Sequence, residues 1–214
     1  MSEFDYSKTR ESGKVKNFFV WHMNRFLVKI LFRVTFVGFE KMPQEGSYII
    51  AANHVNKLDP MIISTQIKRP IHFMAKKSLF QNSILAKFLS GLNAFPVDRH
   101  KFDRRPIKYA KALLDEGRLV GIFPEGTRSR AQFAAPQEAK SGTAMIAREA
   151  KAGILPISIY CPVGEKTFAK MTVRCGDFIP YESFGFSEKS VSSELKAASE
   201  RVMNEIKAMW EEGY

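Results

Sequence analysis

The chain has 214 residues, 45% of them hydrophobic and 26% charged, enough for one sizeable core and too few for two ordinary domains. A net charge of +11 predicts an anionic partner, and residues 161–214 hold 7 Lys and Arg against 9 Asp and Glu, so the positive excess lies ahead of them. Cys161 and Cys175 lie in apolar runs without metal-ligand spacing, which argues against a disulfide framework or a zinc site and for a reduced compartment.

Residues 1–14 are polar, with early acids in place of a basic leader region, and read as a loose end without a signal peptide. The next stretch, VKNFFVWHMNRFLVKILFRVTFVGF, is apolar but interrupted in an ordered way. His22, Arg25, Lys29 and Arg33 recur at helical spacing as one stripe, and aromatic and aliphatic residues fill the remainder. Cations in mid-span are costly in hydrocarbon and favourable under phosphate headgroups, so the stretch predicts an amphipathic helix lying on a membrane surface. A helix packed on the core with a solvated basic side is the other reading of the same pattern.

From residue 47 onward, short apolar runs alternate with amphipathic stretches, the rhythm of an α/β domain with a mixed central sheet flanked by helices. SYIIAA predicts a strand leading into NHVNKLD, followed by a short helix opened by Pro60. IHFMAK predicts a strand and SLFQNSILAKFLSG a helix capped by Ser78 and stopped at Gly91. AFPVDR, a helix ending at Gly117, and the strand LVGIFP follow, the last running directly into EGTRSR. The helix GTAMIAREAKAG and the strands ILPISIY and KMTVRCGDFI precede a closing helix over 188–212, where Val191, Leu195, Ala198, Val202, Ile206 and Met209 form the apolar stripe.

Two segments carry candidate chemistry, each at the end of an apolar strand, where ligands bind in open α/β sheets. In Asn53-His54-Val55-Asn56-Lys57-Leu58-Asp59 the short loop can fold Asp59 back onto His54. Asp59 would then fix the imidazole tautomer and leave Nε2 to take a proton from a hydroxyl. The same residues also fit an ordinary turn with Asp59 as a helix N-cap. In Phe123-Pro124-Glu125-Gly126-Thr127-Arg128, Gly126 permits close backbone approach, Thr127 offers a donor and Arg128 a bidentate fork for phosphate. A tight polar turn with a solvated Arg is the plain alternative, and no nucleotide-binding glycine motif occurs.

Taken together, NHxxxxD followed by FPEGTR resembles the 1-acylglycerol-3-phosphate (lysophosphatidic acid) acyltransferase family of glycerolipid acyltransferases. Ala94-Phe95-Pro96-Val97-Asp98-Arg99 and Ile154-Leu155-Pro156-Ile157-Ser158-Ile159 resemble two further family blocks, MAKKSLF is similar to a fifth, and Glu138-Ala139-Lys140-Ser141-Gly142 approximates the family's Lys-x-Gly helix start. The likeness spans roughly residues 45–160. It implies His54 as general base, Asp59 as its orienting partner, and Glu125, Gly126, Thr127, Arg128, Arg99 and Lys76 around the acceptor's phosphate. Glu125 is the odd member, an anion beside an anion, and is expected to orient Arg128 or to act structurally. Lys77, Lys101, Arg104, Arg105 and Arg130 are expected to form a solvated or headgroup-facing basic surface, and His22, His72 and His100 to be ordinary.

Joined to the pattern read at the two ends, the resemblance divides the chain into residues 1–40, a tail and interfacial helix, and 41–214, an acyltransferase domain closed by a docking helix. It implies transfer of a fatty acyl chain from a thioester of acyl carrier protein or coenzyme A to lysophosphatidic acid, without metal or bound cofactor. The place implied is the cytoplasmic face of the cell membrane. The competing readings are an acyltransferase acting on glycerol 3-phosphate or another lysophospholipid, and a non-catalytic basic protein that binds membrane or nucleic acid.

Overall fold

The computed structural model describes residues 4–7, 13–98, 103–128, 135–163, 168–189 and 191–214. Among them run the strands β1 (Arg33–Val37), β2 (Ile49–Ala52), β3 (Ile71–Lys76), β4 (Phe95–Val97), β5 (Leu119–Ile122), β6 (Ile154–Tyr160) and β7 (Lys170–Cys175). The helices are α1 (Lys14–Leu31), α2 (Asp59–Ser64), α3 (Ser83–Gly91), α4 (Arg105–Asp115), α5 (Gly142–Ala150) and α6 (Ser192–Glu211). The strands form one mixed sheet in the order β1-β7-β6-β2-β5-β3-β4. From β6 across to β4 all neighbours are parallel; β7 runs antiparallel to β6, and β1 parallel to β7.

The middle strands are apolar end to end because both faces of the sheet are covered. In β2, Ile50 and Ala52 point into a core built with Val28 and Phe32, Ile62 and Ile63 of α2, and Leu155 and Ile157 of β6. Ile49 and Ala51 point the other way, toward Tyr109 and Leu113 of α4, Ile146 of α5, and Val202 and Ile206 of α6. Each such fully buried Ile or Leu contributes roughly 1.5–3 kcal/mol through surface removed from water. The catalytic-type loop after β2 is therefore mounted on the most deeply buried strand of the molecule.

Four features differ from the sequence expectation. The amphipathic helix stops at Leu31, and Arg33–Val37 is an edge strand paired with β7 from Arg33↔Lys170 to Val37↔Arg174, so the sheet begins inside the segment read as tail and helix. Phe32 is already extended, and Arg33 N–H donates to Ala169 O at 3.2 Å, so sheet pairing replaces the next helical turn. The helix expected from Ser78 is a 3₁₀ turn over Lys77–Phe80 followed by α3, whose cap is Asn82; its Oδ1 accepts the Ile84 and Leu85 N–H groups at 3.1 and 3.0 Å. In the N-terminal segment, Phe4 and Tyr6 pack edge-on against Tyr109, and the Tyr6 hydroxyl donates to Pro96 O at 2.8 Å. The closing helix α6 buries Leu195, Ala198, Val202 and Ile206 as expected, while Val191 lies just ahead of it and is exposed.

Helix α1 has a docked side and an open side. Asn24 is buried and its Nδ2 donates to Met61 O at 2.7 Å; Arg25 lies 4.7 Å over the Trp21 ring and donates to Thr65 O at 3.2 Å. Phe18, Met23 and Ile30 are largely exposed on the open side, as are Phe19 at 67% and Phe26 at 66%. Among the described residues no helix is long and apolar enough to cross a membrane.

Candidate active site

β2 ends at Ala52, and Asn53 extends its pairing with a side chain where the backbone turns away. Asn53 Nδ2 donates to Ile159 O at 2.9 Å and Oδ1 accepts the Ile159 N–H at 2.7 Å, fastening the start of the loop to β6. His54 follows, its side chain 13% exposed, and its Nδ1 lies 2.7 Å from Asp59 Oδ2. The same oxygen accepts the backbone N–H groups of Val55 and Asn56, each at 2.8 Å. An oxygen that already accepts two N–H bonds is the anionic one, so Nδ1 carries the hydrogen and Nε2 is left basic.

Asp59 is the first residue of α2 and wholly buried. Burial pushes its carboxyl above the usual range, and the His54 bond followed by the Asn56 and Val55 backbone bonds pull it back. The helix N-terminus adds a favourable field for the negative charge. The loop can fold this way because Asn56 Oδ1 caps the Leu58 N–H at 2.9 Å and Asn56 O accepts the Asp59 N–H at 3.0 Å, closing a tight turn. On its face the His54 ring stacks on Phe123, centroids 4.0 Å apart and 17° from parallel, and Phe123 lies 5.9 Å from Phe73 at 16°. This three-ring stack supports one face of the imidazole, at right angles to its in-plane hydrogen bonds.

Phe123 opens the second segment. The turn Phe123-Pro124-Glu125-Gly126 is closed by Gly126 N–H to Phe123 O at 3.0 Å, with Gly126 at φ +70°, a conformation that favours glycine. Thr127 is exposed and Arg128 half-buried. Glu125 turns inward instead: its carboxyl is buried, Oε1 accepts the Gln137 N–H at 3.3 Å, and burial pushes it up to about 7 against the pull of the Gln137 and His54 backbone donors. A buried carboxyl facing the backbone donors of Gln137 and His54 ties the turn to the loop ahead of α5 and to the His54 loop.

The remaining expected residues separate into three groups. Lys76 is the exposed last residue of β3 and has no ion pair among the described residues. Lys77, Arg104 and Arg105 are committed to carboxylates, Asp98 at 3.9 Å, Glu149 at 3.0 Å and Asp103 at 2.9 Å. Arg99, His100, Lys101 and Arg130 lie outside the described residues. His22 is exposed against Phe18, and His72 is buried and pushed down to about 4 by burial and the nearby Arg118 charge. Cys161 and Cys175 are buried free thiols, Cys175 pushed up to about 12 by burial. The Asn53 bridge and the phenylalanine stack were not anticipated; the only signal for the first was a polar residue ending an apolar strand.

A hydroxyl brought to His54 Nε2 can be deprotonated as it attacks a carbonyl, with Asp59 stabilising the imidazolium. Comparison with known proteins agrees with that chemistry. The acyltransferase family model matches residues 33–160. This chain belongs to the acyltransferase family. Among relatives of this acyltransferase, the 1-acyl-sn-glycerol-3-phosphate acyltransferase of Bacillus subtilis is 33% identical over 172 residues, covering 79% of this chain and 84% of its own length. The enzyme of that name from Streptococcus pneumoniae is 30% identical over 166 residues, and the match spans 74% of this chain and 60% of the relative. The crystal structure of the 1-acyl-sn-glycerophosphate acyltransferase from Thermotoga maritima has the same fold, with a TM-score of 0.71 at 24% identity over 94% of this chain and 83% of that one. The matched segment starts at Arg33, the first residue of β1.

Proposed function

We propose that this acyltransferase moves a fatty acyl chain from an acyl thioester to the free hydroxyl of 1-acylglycerol 3-phosphate, forming phosphatidic acid for phospholipid biosynthesis. The observation that carries the reading is the His54–Asp59 pair at 2.7 Å, with His54 two residues beyond the end of β2 and stacked on the first residue of the FPEGTR turn. The names of the Bacillus and Streptococcus relatives supply the acceptor.

In this mechanism His54 Nε2 takes the hydroxyl proton while the oxygen attacks the thioester carbonyl carbon. The tetrahedral oxyanion collapses, the C–S bond breaks, and the departing sulfur recovers the proton from the imidazolium. Asp59 remains ionised throughout. General-base help of this kind is worth about 10²–10⁴-fold, and orientation of the acceptor supplies much of the rest. Arg128, Thr127 and the Gly126 backbone, with Lys76 and Arg99, hold the acceptor's phosphate, and Glu125 braces the turn that presents them. The open side of α1, with Phe19 and Phe26, rests in the anionic cytoplasmic face of the cell membrane, from which the acceptor is drawn. The donor is an acyl carrier protein or coenzyme A thioester, and no bound cofactor takes part.

The test is to incubate the purified protein with lysophosphatidic acid and each donor and to measure phosphatidic acid by mass spectrometry. Wild type forms it with at least one donor, and His54→Ala, which leaves the loop folded, forms none. Product formation at near-normal rate by His54→Ala, or its absence with both donors in wild type, rejects the reading.

A further inference from the structure

Helix α3 carries more apolar surface than the fold uses. Ile84, Leu85, Ala86, Phe88 and Leu89 are apolar, yet none of its nine residues is buried. Ile84, Leu85 and Phe88 share one face at helical spacing, and Ile84 is 81% exposed. A helix this short is marginal in water unless its apolar face is covered. What the chain itself provides is the Asn82 cap at one end and, at the other, the bond from Ala94 N–H to Leu89 O at 2.9 Å. Just ahead of α3, Leu79 of the 3₁₀ turn is also exposed. That turn leaves the carboxyl end of β3, which lies at the same edge of the sheet as the ends of β2 and β5 because the three strands are parallel. The apolar patch therefore starts at the edge that carries His54.

The patch is continuous with the open side of α1. A cavity of about 170 Å³ runs between the two helices, with Val20, Met23 and Leu27 on one wall and Phe88 and Leu92 on the other. Met23 and Phe88 are both exposed as well, so the apolar faces of the two helices meet at its rim. Charge follows the same outline. Residues 12–39 and 60–97, which supply α1, the 3₁₀ turn and α3, contain ten Lys and Arg and no Asp or Glu, and all 22 acids of the chain lie elsewhere. Lys87 is exposed beside Ile84 on α3, placed for its stem to follow the apolar face and its ammonium to reach outward. Hydrocarbon without hydrogen-bonding groups, edged by cations, suits a lipid surface. A soluble partner's interface carries about one hydrogen bond per 100–200 Å², for which the exposed face of α3 offers little. We infer that α3 is a second membrane contact, with Ile84, Leu85 and Phe88 inserted at the headgroup–acyl boundary of an anionic bilayer alongside α1. Two contacts on different elements fix how the body sits, whereas α1 alone would let it roll about the helix axis. With both engaged, the sheet edge that carries His54 stays near the surface. The inference rests on the proposed membrane contact of α1 for the nature of the surface and is independent of the acyl-transfer chemistry.

Partitioning onto vesicles of equal parts phosphatidylglycerol and phosphatidylcholine tests it without turnover. Ile84→Ser with Phe88→Ser is expected to lower the partition coefficient about 10- to 100-fold, as for two apolar side chains withdrawn from the boundary. Tm stays the same, since neither side chain is buried in the fold. Adding Phe19→Ser and Phe26→Ser lowers partitioning further, by the factor those two changes cause alone. Ile84→Cys, labelled with an environment-sensitive fluorophore, tests the same contact with a single change and shows a blue shift on these vesicles; Cys161 and Cys175 are buried and stay unlabelled. Unchanged partitioning of the α3 variant, or no blue shift, overturns the inference. So does evidence of another occupant: a wild-type dimer that the α3 changes dissociate in analytical ultracentrifugation, or a rise in KM for the carrier-protein thioester with vesicle binding intact. If only the α1 changes weaken binding, α3 is rejected and the α1 reading stands. If wild type does not bind the vesicles, both membrane contacts are rejected, and acyl transfer in detergent still decides the chemistry.

Discussion

Replacing Glu125 by glutamine tests whether the two active-site loops are braced by a buried, protonatable group. In the folded chain burial pushes this carboxyl from its ordinary 4.5 to about 7. Between those values the unfolded chain has released the proton and the folded chain retains it, so rising pH favours unfolding. The stabilisation is complete below pH 4.5 and lost as pH passes 7. Two to three pKa units at about 1.36 kcal/mol each amount to about 3 kcal/mol, or roughly 6–12 °C in Tm for a chain of this size. His72 works in the opposite sense. Its ring is pushed down from 6.5 to about 4, so its contribution is present above pH 6.5 and lost as pH falls toward 4. In wild type the two slopes offset each other between pH 4.5 and 6.5, and Glu125→Gln, which keeps an acceptor for the Gln137 N–H but cannot ionise, exposes the His72 slope. Urea denaturation followed by the fluorescence of Trp21 and Trp210 at several pH values gives the unfolding free energy of each protein. The variant gains about 3 kcal/mol relative to wild type from pH 4.5 to pH 8. A difference that stays constant across that range would falsify the reasoning, because it means Glu125 ionises in the folded chain as it does in water.

Asp59→Asn removes the charge that stabilises the His54 imidazolium while leaving an amide oxygen for the Val55 and Asn56 N–H groups, and lowers kcat about 10³-fold; steady-state rates check this, and retention of a tenth of the activity contradicts the assignment. Gly121→Ala places a methyl into the Phe73 ring, which backs Phe123 and through it His54, so it costs about 1–3 kcal/mol and lowers kcat; a variant with unchanged Tm and rate shows that the stack does not position the base. Phe19→Ser with Phe26→Ser reduces co-sedimentation with anionic vesicles at least about tenfold while far-UV circular dichroism stays the same, since each exposed ring would bury roughly 1.5–3 kcal/mol of apolar surface. Unchanged partitioning of that double variant excludes this side of α1 as the membrane contact.

The parts of the molecule that could be read in the sequence are those defined by near neighbours. β2, β5 and β6 announce themselves as short apolar runs because both their faces are buried. The His54–Asp59 pair is legible for the same reason, both partners lying on one loop. β1 is hidden because Arg33 continues the basic stripe of α1 in helical register, and only its pairing with β7, far along the chain, makes it a strand. The Asn53 bridge to Ile159 joins residues 106 apart, and the Phe73–Phe123 stack joins β3 to the turn after β5, so neither leaves a local pattern. The inward turn of Glu125 is equally hidden, because a motif fixes which residue stands at a position and says nothing of which way its side chain turns.

The docking of α1 has a practical bearing. α2 is a helix of six residues whose first member is Asp59; Asn24 holds it near its middle through Met61 O, and Arg25 holds its far end through Thr65 O. At about 1.5 Å per residue, the two holds act roughly 3 and 9 Å along the helix from the residue whose carboxylate aligns the base. Trimming the chain to begin at β1, an obvious route to a better-behaved preparation, would discard the hydrophobic surface of α1 and the far anchor of α2 in one cut. Loss of activity in such a truncation therefore says little about membranes, and substitutions confined to the open side of α1 are the cleaner instrument.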